Sequence, residues 1–169
     1  MPLHHNISGE STQELVAAGV YGSVSLISLV NTHASTTCAV DIYIEKKLTG
    51  KFYIVKSLPL AVGISTVLKD VKFSSKPSEF SLYIKLSKSN VFALTGTIDP
   101  AASATVPGVN TLFLTEIAVG DEIIVSGETR TVTAIASNTS LTVSAAFSNN
   151  SNDTTPDCSP RSNVDVIIN

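Results

Sequence analysis

The side chains suited to chemistry are few here, and their spacing decides what each can do. Three histidines occur, His4, His5 and His33. His4 and His5 are adjacent in a polar stretch, and adjacent histidines on an irregular segment do not converge on a metal unaided. Cys38 and Cys158 lie far apart and lack the C-x-x-C spacing of a zinc site. Asp41 and Glu45 fall at i, i+4 in an alternating segment and share a face about two strand repeats apart. That separation resembles a glycosidase pair only by coincidence, and no aromatic platform is expected beside it. Asp121 and Glu122 are adjacent at a turn, where Asp is favoured for local hydrogen bonding. No Gly-x-Ser-x-Gly elbow is present. The expectation is no catalytic residue, no metal site and no cofactor.

Lys46, Lys47, Lys51 and Lys56 straddle one hairpin, with Tyr43, Phe52 and Tyr53 interleaved. Basic residues among aromatics are the composition of a nucleic-acid patch. Lysines also keep exposed sheet edges from uncontrolled pairing. The second reading is favoured, because the chain carries a net charge of −3 and the patch has no Arg. The glycosylation patterns at Asn6, Asn138, Asn149 and Asn152 read as polar loops.

The elements that hold these residues have the pattern of strands. Ser23 to Val30 alternates small polar and apolar residues from Gly22 onward. Thr37 to Lys46 sets Cys38, Val40, Ile42 and Ile44 on one face and Ala39, Asp41, Tyr43 and Glu45 on the other. Period two over this length predicts a half-buried strand with Cys38 as a small core residue. Lys47-Leu48-Thr49-Gly50 predicts a hairpin turn into Lys51–Lys56. Ile64–Val71 predicts a further strand, Ser74–Ser78 with Pro77 a loop, and Phe80–Ser87 a fifth strand. Short connections without helical segments predict an antiparallel sandwich. Residues 1–19 are polar, show no clear period and read as an N-terminal arm.

A second unit begins near Val91. Residues 95–109 carry weak local order, and Asn110–Leu114 reads as a short strand. Glu122–Val125, Ser126-Gly127-Glu128 and Thr129–Ile135 predict a hairpin, followed by a turn at Ser137-Asn138-Thr139 and a strand at Ser140–Val143. Four short strands with tight turns predict a compact small β-barrel over 92–147. Residues 148–163 read as a linker by composition. Val164–Ile168 is an apolar strand that must pair with something, and the expectation is that it returns to the sandwich beside the strand at 80–87. The expected organisation is thus an all-β chain: an arm at 1–19, a β-sandwich at 20–91 completed by 164–169, an inserted small β-barrel at 92–147 and a linker at 148–163.

Composition bounds the function classes. Hydrophobic residues make up 43 % and charged residues 15 %, too apolar for a disordered chain. No apolar run is long enough to span a bilayer as a helix. Met1-Pro2-Leu3-His4-His5 lacks a basic region followed by an apolar core, so retention in the cytoplasm is expected, with both cysteines reduced. Charge is split: residues 1–91 sum to +3 and residues 92–169 to −6, a division that suits two modules and contacts with neighbours.

Two stretches carry a resemblance. Gly22 to Leu68, with Val30-Asn31-Thr32, Val40-Asp41-Ile42-Tyr43-Ile44, Tyr53-Ile54-Val55-Lys56 and Leu58-Pro59-Leu60-Ala61-Val62-Gly63, resembles small β-sandwich virion proteins of tailed bacteriophages. These often close on a strand like Val164–Ile168. Val119–Val125 through Thr131–Ile135 to Ser140–Val143 looks like a small β module recurring in phage tail and fibre proteins. The resemblance implies a non-enzymatic virion component, assembled in the bacterial host cytoplasm, that decorates, connects or stabilises the capsid, neck or tail. Its implied partners are other virion structural proteins and copies of itself, with neither nucleic acid nor membrane. The alternative is a receptor- or glycan-binding module of a tail fibre, presenting the turns at 115–121, 126–128 and 136–139. Those turns lack Trp and Tyr, which weakens it.

Overall fold

A computed structural model describes residues 2–20, 23–46, 49–75, 80–87, 91–149 and 151–169. The protein is all-β, with antiparallel sheets. Its first seven strands are β1 (Leu3–Ser8), β2 (Thr12–Val16), β3 (Ser23–Asn31), β4 (Cys38–Lys46), β5 (Gly50–Leu60), β6 (Ser65–Ser74) and β7 (Ser81–Leu86). There follow β8 (Phe92–Ala93), β9 (Thr97–Ile98), β10 (Thr105–Val109), a single helical turn α1 (Phe113–Glu116), β11 (Glu122–Val125) and β12 (Glu128–Ser137). The last three are β13 (Ser140–Val143), β14 (Asp157–Ser159) and β15 (Asn163–Ile168). Two compact units result: Met1–Lys88 with Ser162–Asn169, and Ser89–Arg161.

The first unit is a sandwich of two four-stranded sheets, ordered β1-β15-β3-β6 and β2-β7-β4-β5. Period two sends alternate side chains to one interior. Val40 and Ile42 from β4, Ile27 and Leu29 from β3, Leu82, Ile84 and Leu86 from β7, and Val164 and Val166 from β15 form one core. Cys38 is buried with them as a free thiol, and burial pushes its pKa up.

Three expectations are corrected here. Residues 1–19 are not an arm: Leu3–Ser8 pairs with β15 and Thr12–Val16 with β7, and Ile7, Leu15 and Val16 join the core. The closing strand does not lie beside Phe80–Ser87; it sits between β1 and β3 in the other sheet. The strand expected at 64–71 runs Ser65–Ser74, with a bulge at Asp70 (φ 59°) that re-aims Val71 and Phe73 inward. Lys47 and Leu48 of the hairpin turn, Gly22, and Lys76–Ser78 of the Pro77 loop lie outside the described residues.

Asn31 closes β3 and is fully buried. Its Nδ2 donates to the carbonyls of Thr36 (2.8 Å) and Leu60 (3.1 Å), and its Oδ1 accepts the His33 amide (3.0 Å). Loss of this side chain strands buried backbone groups, so Asn31→Ala should lower the unfolding free energy by about 2 kcal/mol in urea titrations. Stability equal to wild type would refute this role.

The second unit leaves the chain between β7 and β15 and forms one seven-stranded sheet, ordered β8-β14-β11-β12-β13-β10-β9. Its two edges are pieces of one run, 92–98. That run pairs with 153–158 through Phe92–Cys158, the Leu94 amide to the Pro156 carbonyl, and Ile98–Asp153. Its far end pairs with β10. One core collects Ile98, Val106, Phe113, Ile123, Val125, Leu141 and Cys158. Residues 95–109, expected to be weakly ordered, contain β9 and β10. The strand expected at 110–114 is replaced by α1, which drives Phe113 into this core. The linker at 148–163 contains β14, paired with β11.

The hairpin between β11 and β12 turns at Ser126 and Gly127, both at positive φ (49° and 81°), the backbone twist that a two-residue loop requires. Glu128, at its exit, accepts the Ser148 hydroxyl (2.6 Å) and the amides of Ser148 and Asn149. These bonds, with Arg130 at 2.7 Å, hold its carboxyl at about 2, against an ordinary 4.5. Because the folded value is depressed, this contribution is complete above about pH 4.5 and lost as the pH falls through about 2. Glu128→Gln should therefore differ from wild type at neutral pH and converge with it near pH 2. An unchanging gap across a pH series of thermal melts would exclude this account.

Candidate interaction surface

In β4, Cys38, Val40 and Ile42 point inward, so Asp41, Tyr43 and Glu45 stand on the outer face. Antiparallel register sets Tyr43 opposite Tyr53 of β5 and Tyr83 of β7, with Glu14 of β2 beyond Tyr83. The rings form a row: Tyr43 and Tyr83 stack at 5.6 Å and 19°, and Tyr43 and Tyr53 tilt at 53° and 5.5 Å. Tyr43 is 1 % exposed although it belongs to the outer face. Lys51 Nζ lies 4.6 Å from its ring centroid and donates to its hydroxyl at 3.3 Å. Lys56 lies 5.1 Å over Tyr53. The bond to Tyr43 raises the Lys51 pKa, and desolvation raises that of Tyr83.

The expectation that Asp41 and Glu45 lack an aromatic platform is therefore corrected. They flank Tyr43, which meets Tyr53 across the β4–β5 hairpin and Tyr83 from β7, a strand distant in sequence. The signal was present, because Tyr43 and Tyr83 each occupy an outward position in an alternating strand; only the register brings them together. Asp41 is committed elsewhere: its Oδ1 accepts the Ser57 amide at 2.7 Å and holds a bulge at positive φ (53°). Of the expected basic patch, Lys51 and Lys56 cap this tyrosine row, and Lys46 closes β4 opposite Gly50.

The other candidate residues do not converge. His4 and His5 alternate along β1, with His5 Nδ1 3.1 Å from Gln13 Nε2. His33 is buried, and its Nδ1 accepts the amides of Ser35 and Thr36. Among the described residues no group of three His, Cys, Asp or Glu side chains is placed to hold a metal. Asp121 is buried while Glu122 turns to the opposite side of β11. Burial, with Asp121 beside it, pushes the Cys158 thiol up to about 12.

β5 is an edge strand, and it exposes Phe52 (52 %), Tyr53 (46 %) and Ile54 (38 %) in succession. Ser57, Pro59, Lys51 and Lys56 blunt the same edge, as bulges, prolines and lysines do. The units differ in charge. The first holds all nine lysines against seven acids, a net of +2; the second holds two arginines against seven acids, a net of −5. Comparison with protein-family models, with curated proteins and with solved structures gives no match for the chain.

Proposed function

We propose that the protein is a non-enzymatic structural component of a bacteriophage virion. It is made in the bacterial host cytoplasm and incorporated through contacts with other virion proteins and with copies of itself. The observation that carries this reading is the β5 edge. Three successive large side chains, Phe52, Tyr53 and Ile54, are exposed on the longest strand of the sandwich, and aromatic and apolar side chains at an accessible edge suit a protein partner. Lysines and bulges on the same strand limit open-ended strand pairing, which favours a side-chain contact of fixed geometry.

A tyrosine row beside Asp41 and Glu45 favours a second reading, glycan binding on the outer face of β7-β4-β5. Stacking on a sugar needs a free ring face. Tyr43 has Tyr83 on one side and Tyr53 on the other, and Lys56 covers Tyr53, so the row is better fitted to hold the sheet face rigid.

Size-exclusion chromatography with light scattering, on the protein alone and mixed with particles assembled without it, tests both. Stoichiometric addition to the particles is expected. A protein that ignores the particles and adsorbs to host cells would replace the structural reading with the glycan one.

A further inference from the structure

We infer that two copies of this chain join edge to edge: β1 pairs antiparallel with β1 of a second copy across a twofold axis at Asn6, and the two β1-β15-β3-β6 sheets become one continuous sheet. This names a surface for the contacts between copies in the structural reading above, and it rests on that reading.

The sandwich has four edge strands, β1 and β6 in one sheet and β2 and β5 in the other. Three of them carry devices that stop a further strand from pairing. β6 holds Lys69 and Lys72 around the bulge at Asp70. β5 holds Lys51, Lys56, Pro59 and the bulge at Ser57. β2 is broken by a register shift between Glu14 and Val16. β1 has none of these. Leu3–Ser8 contains no Lys, Arg, Asp, Glu or Pro, and its register with β15 runs unbroken over its whole length.

The hydrogen bonds of the neighbouring strands fix which way the β1 backbone points. Successive residues of an antiparallel strand send amide and carbonyl to alternate sides. The Thr32 amide bonds the Asn163 carbonyl, and Asn169 and Leu26 exchange both bonds. Asn163, Asp165 and Ile167 therefore face β3, while Val164, Val166 and Ile168 face β1, where their partners are Ile7, His5 and Leu3. The Gly9 amide, bonded to the Ser162 carbonyl at 2.7 Å, continues the same alternation. The amides and carbonyls of His4, Asn6 and Ser8 thus point off the sheet, and no hydrogen bond among the described residues engages them. All three residues are exposed. The Asn6 and Ser8 side chains lean back toward β15 and leave the edge open: Asn6 Nδ2 donates to Asp165 Oδ1 at 2.5 Å, and Ser8 Oγ to Asn163 Oδ1 at 2.6 Å.

This edge is complementary to itself. With Asn6 on the axis, Asn6 meets Asn6 and His4 meets Ser8, and each facing pair exchanges both bonds, about six in all. Neither copy brings Lys, Arg, Asp or Glu to the strand, so no such like charges face each other. Pro2 has no amide to offer, and Gly9 turns the chain at φ 77°, so the ladder ends with these three residues. Because the other sandwich edges are blocked, β1 finds its match among them only in β1 of another copy. The contact uses the same patch on both copies and closes at two.

The test combines sedimentation of the full chain at rising concentration with amide exchange. Wild type should pass from monomer to dimer and stop there, and protection of the His4, Asn6 and Ser8 amides should rise with the dimer fraction. The His5 and Ile7 amides, already bonded to β15, should be protected throughout. Asn6→Pro removes an amide that β15 does not use, as an edge strand tolerates, and should stay monomeric with a native melt. Asn6→Thr keeps the amide, loses only the bond to Asp165, and should still dimerise. Wild type that is monomeric at its highest soluble concentration, growth past two, a dimer whose His4, Asn6 and Ser8 amides exchange freely, or dimerisation of a natively folded Asn6→Pro overturns the inference. Should Asn6→Pro not fold, the wild-type exchange pattern decides alone. If a monomeric wild type still adds to the particles, the structural reading survives without this contact; if it does not, both fail.

Discussion

A chain truncated after Arg161 should lose its sandwich while the second unit keeps its own core. β15 is an interior strand, and Leu3 through Ser8 pair on one side of it and Ile27 through Asn31 on the other. Val164, Val166 and Ile168 are buried. Each such side chain contributes about 1.5–3 kcal/mol, so the three together contribute roughly 5–9 kcal/mol. That approaches the whole stability of an ordinary domain, about 5–15 kcal/mol. Removal also opens two interior ladders to water. Val166→Asp places an unpaired carboxylate at the centre of the same core and should act alike. Amide exchange reads the result: protection should vanish along β3 and β4 and persist along β11 to β13. Protection retained in β3 after truncation would show that β15 is dispensable.

Asp121→Ala should destabilise the second unit by about 3 kcal/mol, since bonds to a charged acceptor are worth about 1.5–3 kcal/mol each. The carboxylate is 1 % exposed. Its Oδ2 accepts the Ala118 amide at 2.9 Å, and its Oδ1 accepts the Arg161 amide at 2.8 Å. Cys158 Sγ lies 3.9 Å from Oδ2. One side chain thus ties the 117–121 turn to the end of the 157–161 segment. Asn at this position retains one acceptor oxygen, so urea titrations should rank wild type above Asp121→Asn and that above Asp121→Ala. An alanine variant as stable as wild type would remove Asp121 from this role.

The strands from Ser23 to Leu86 were legible because each buries one face, and period two writes that burial into the residue types. Cys38 was legible for the same reason. β1 and β2 were not: only Ile7, Leu15 and Val16 of these strands reach the core, too few for a period to emerge from a polar background. α1 was missed because a single turn carries no helical repeat; tertiary packing of Phe113 decides it. β14 was hidden in a polar segment where Cys158 is the one apolar side chain. Of the tyrosine row, Tyr43 and Tyr53 share one legible hairpin, but Tyr83 belongs to a strand some thirty residues further on, so no window along the chain contains the whole row.

By itself the sequence determined the all-β class, the inward face of the central strands, the apolar closing strand and the uneven charge. These are local or additive properties, set by side-chain type and spacing. Tertiary structure alone decided which strands became neighbours: that β15 lies between β1 and β3, that Tyr43 is sealed between Tyr53 and Tyr83, and that β5 and β6 are edges. Those outcomes depend on register between distant segments, and register is chosen by the packing of the whole core, because a one-residue slip would turn every buried side chain of a strand to water.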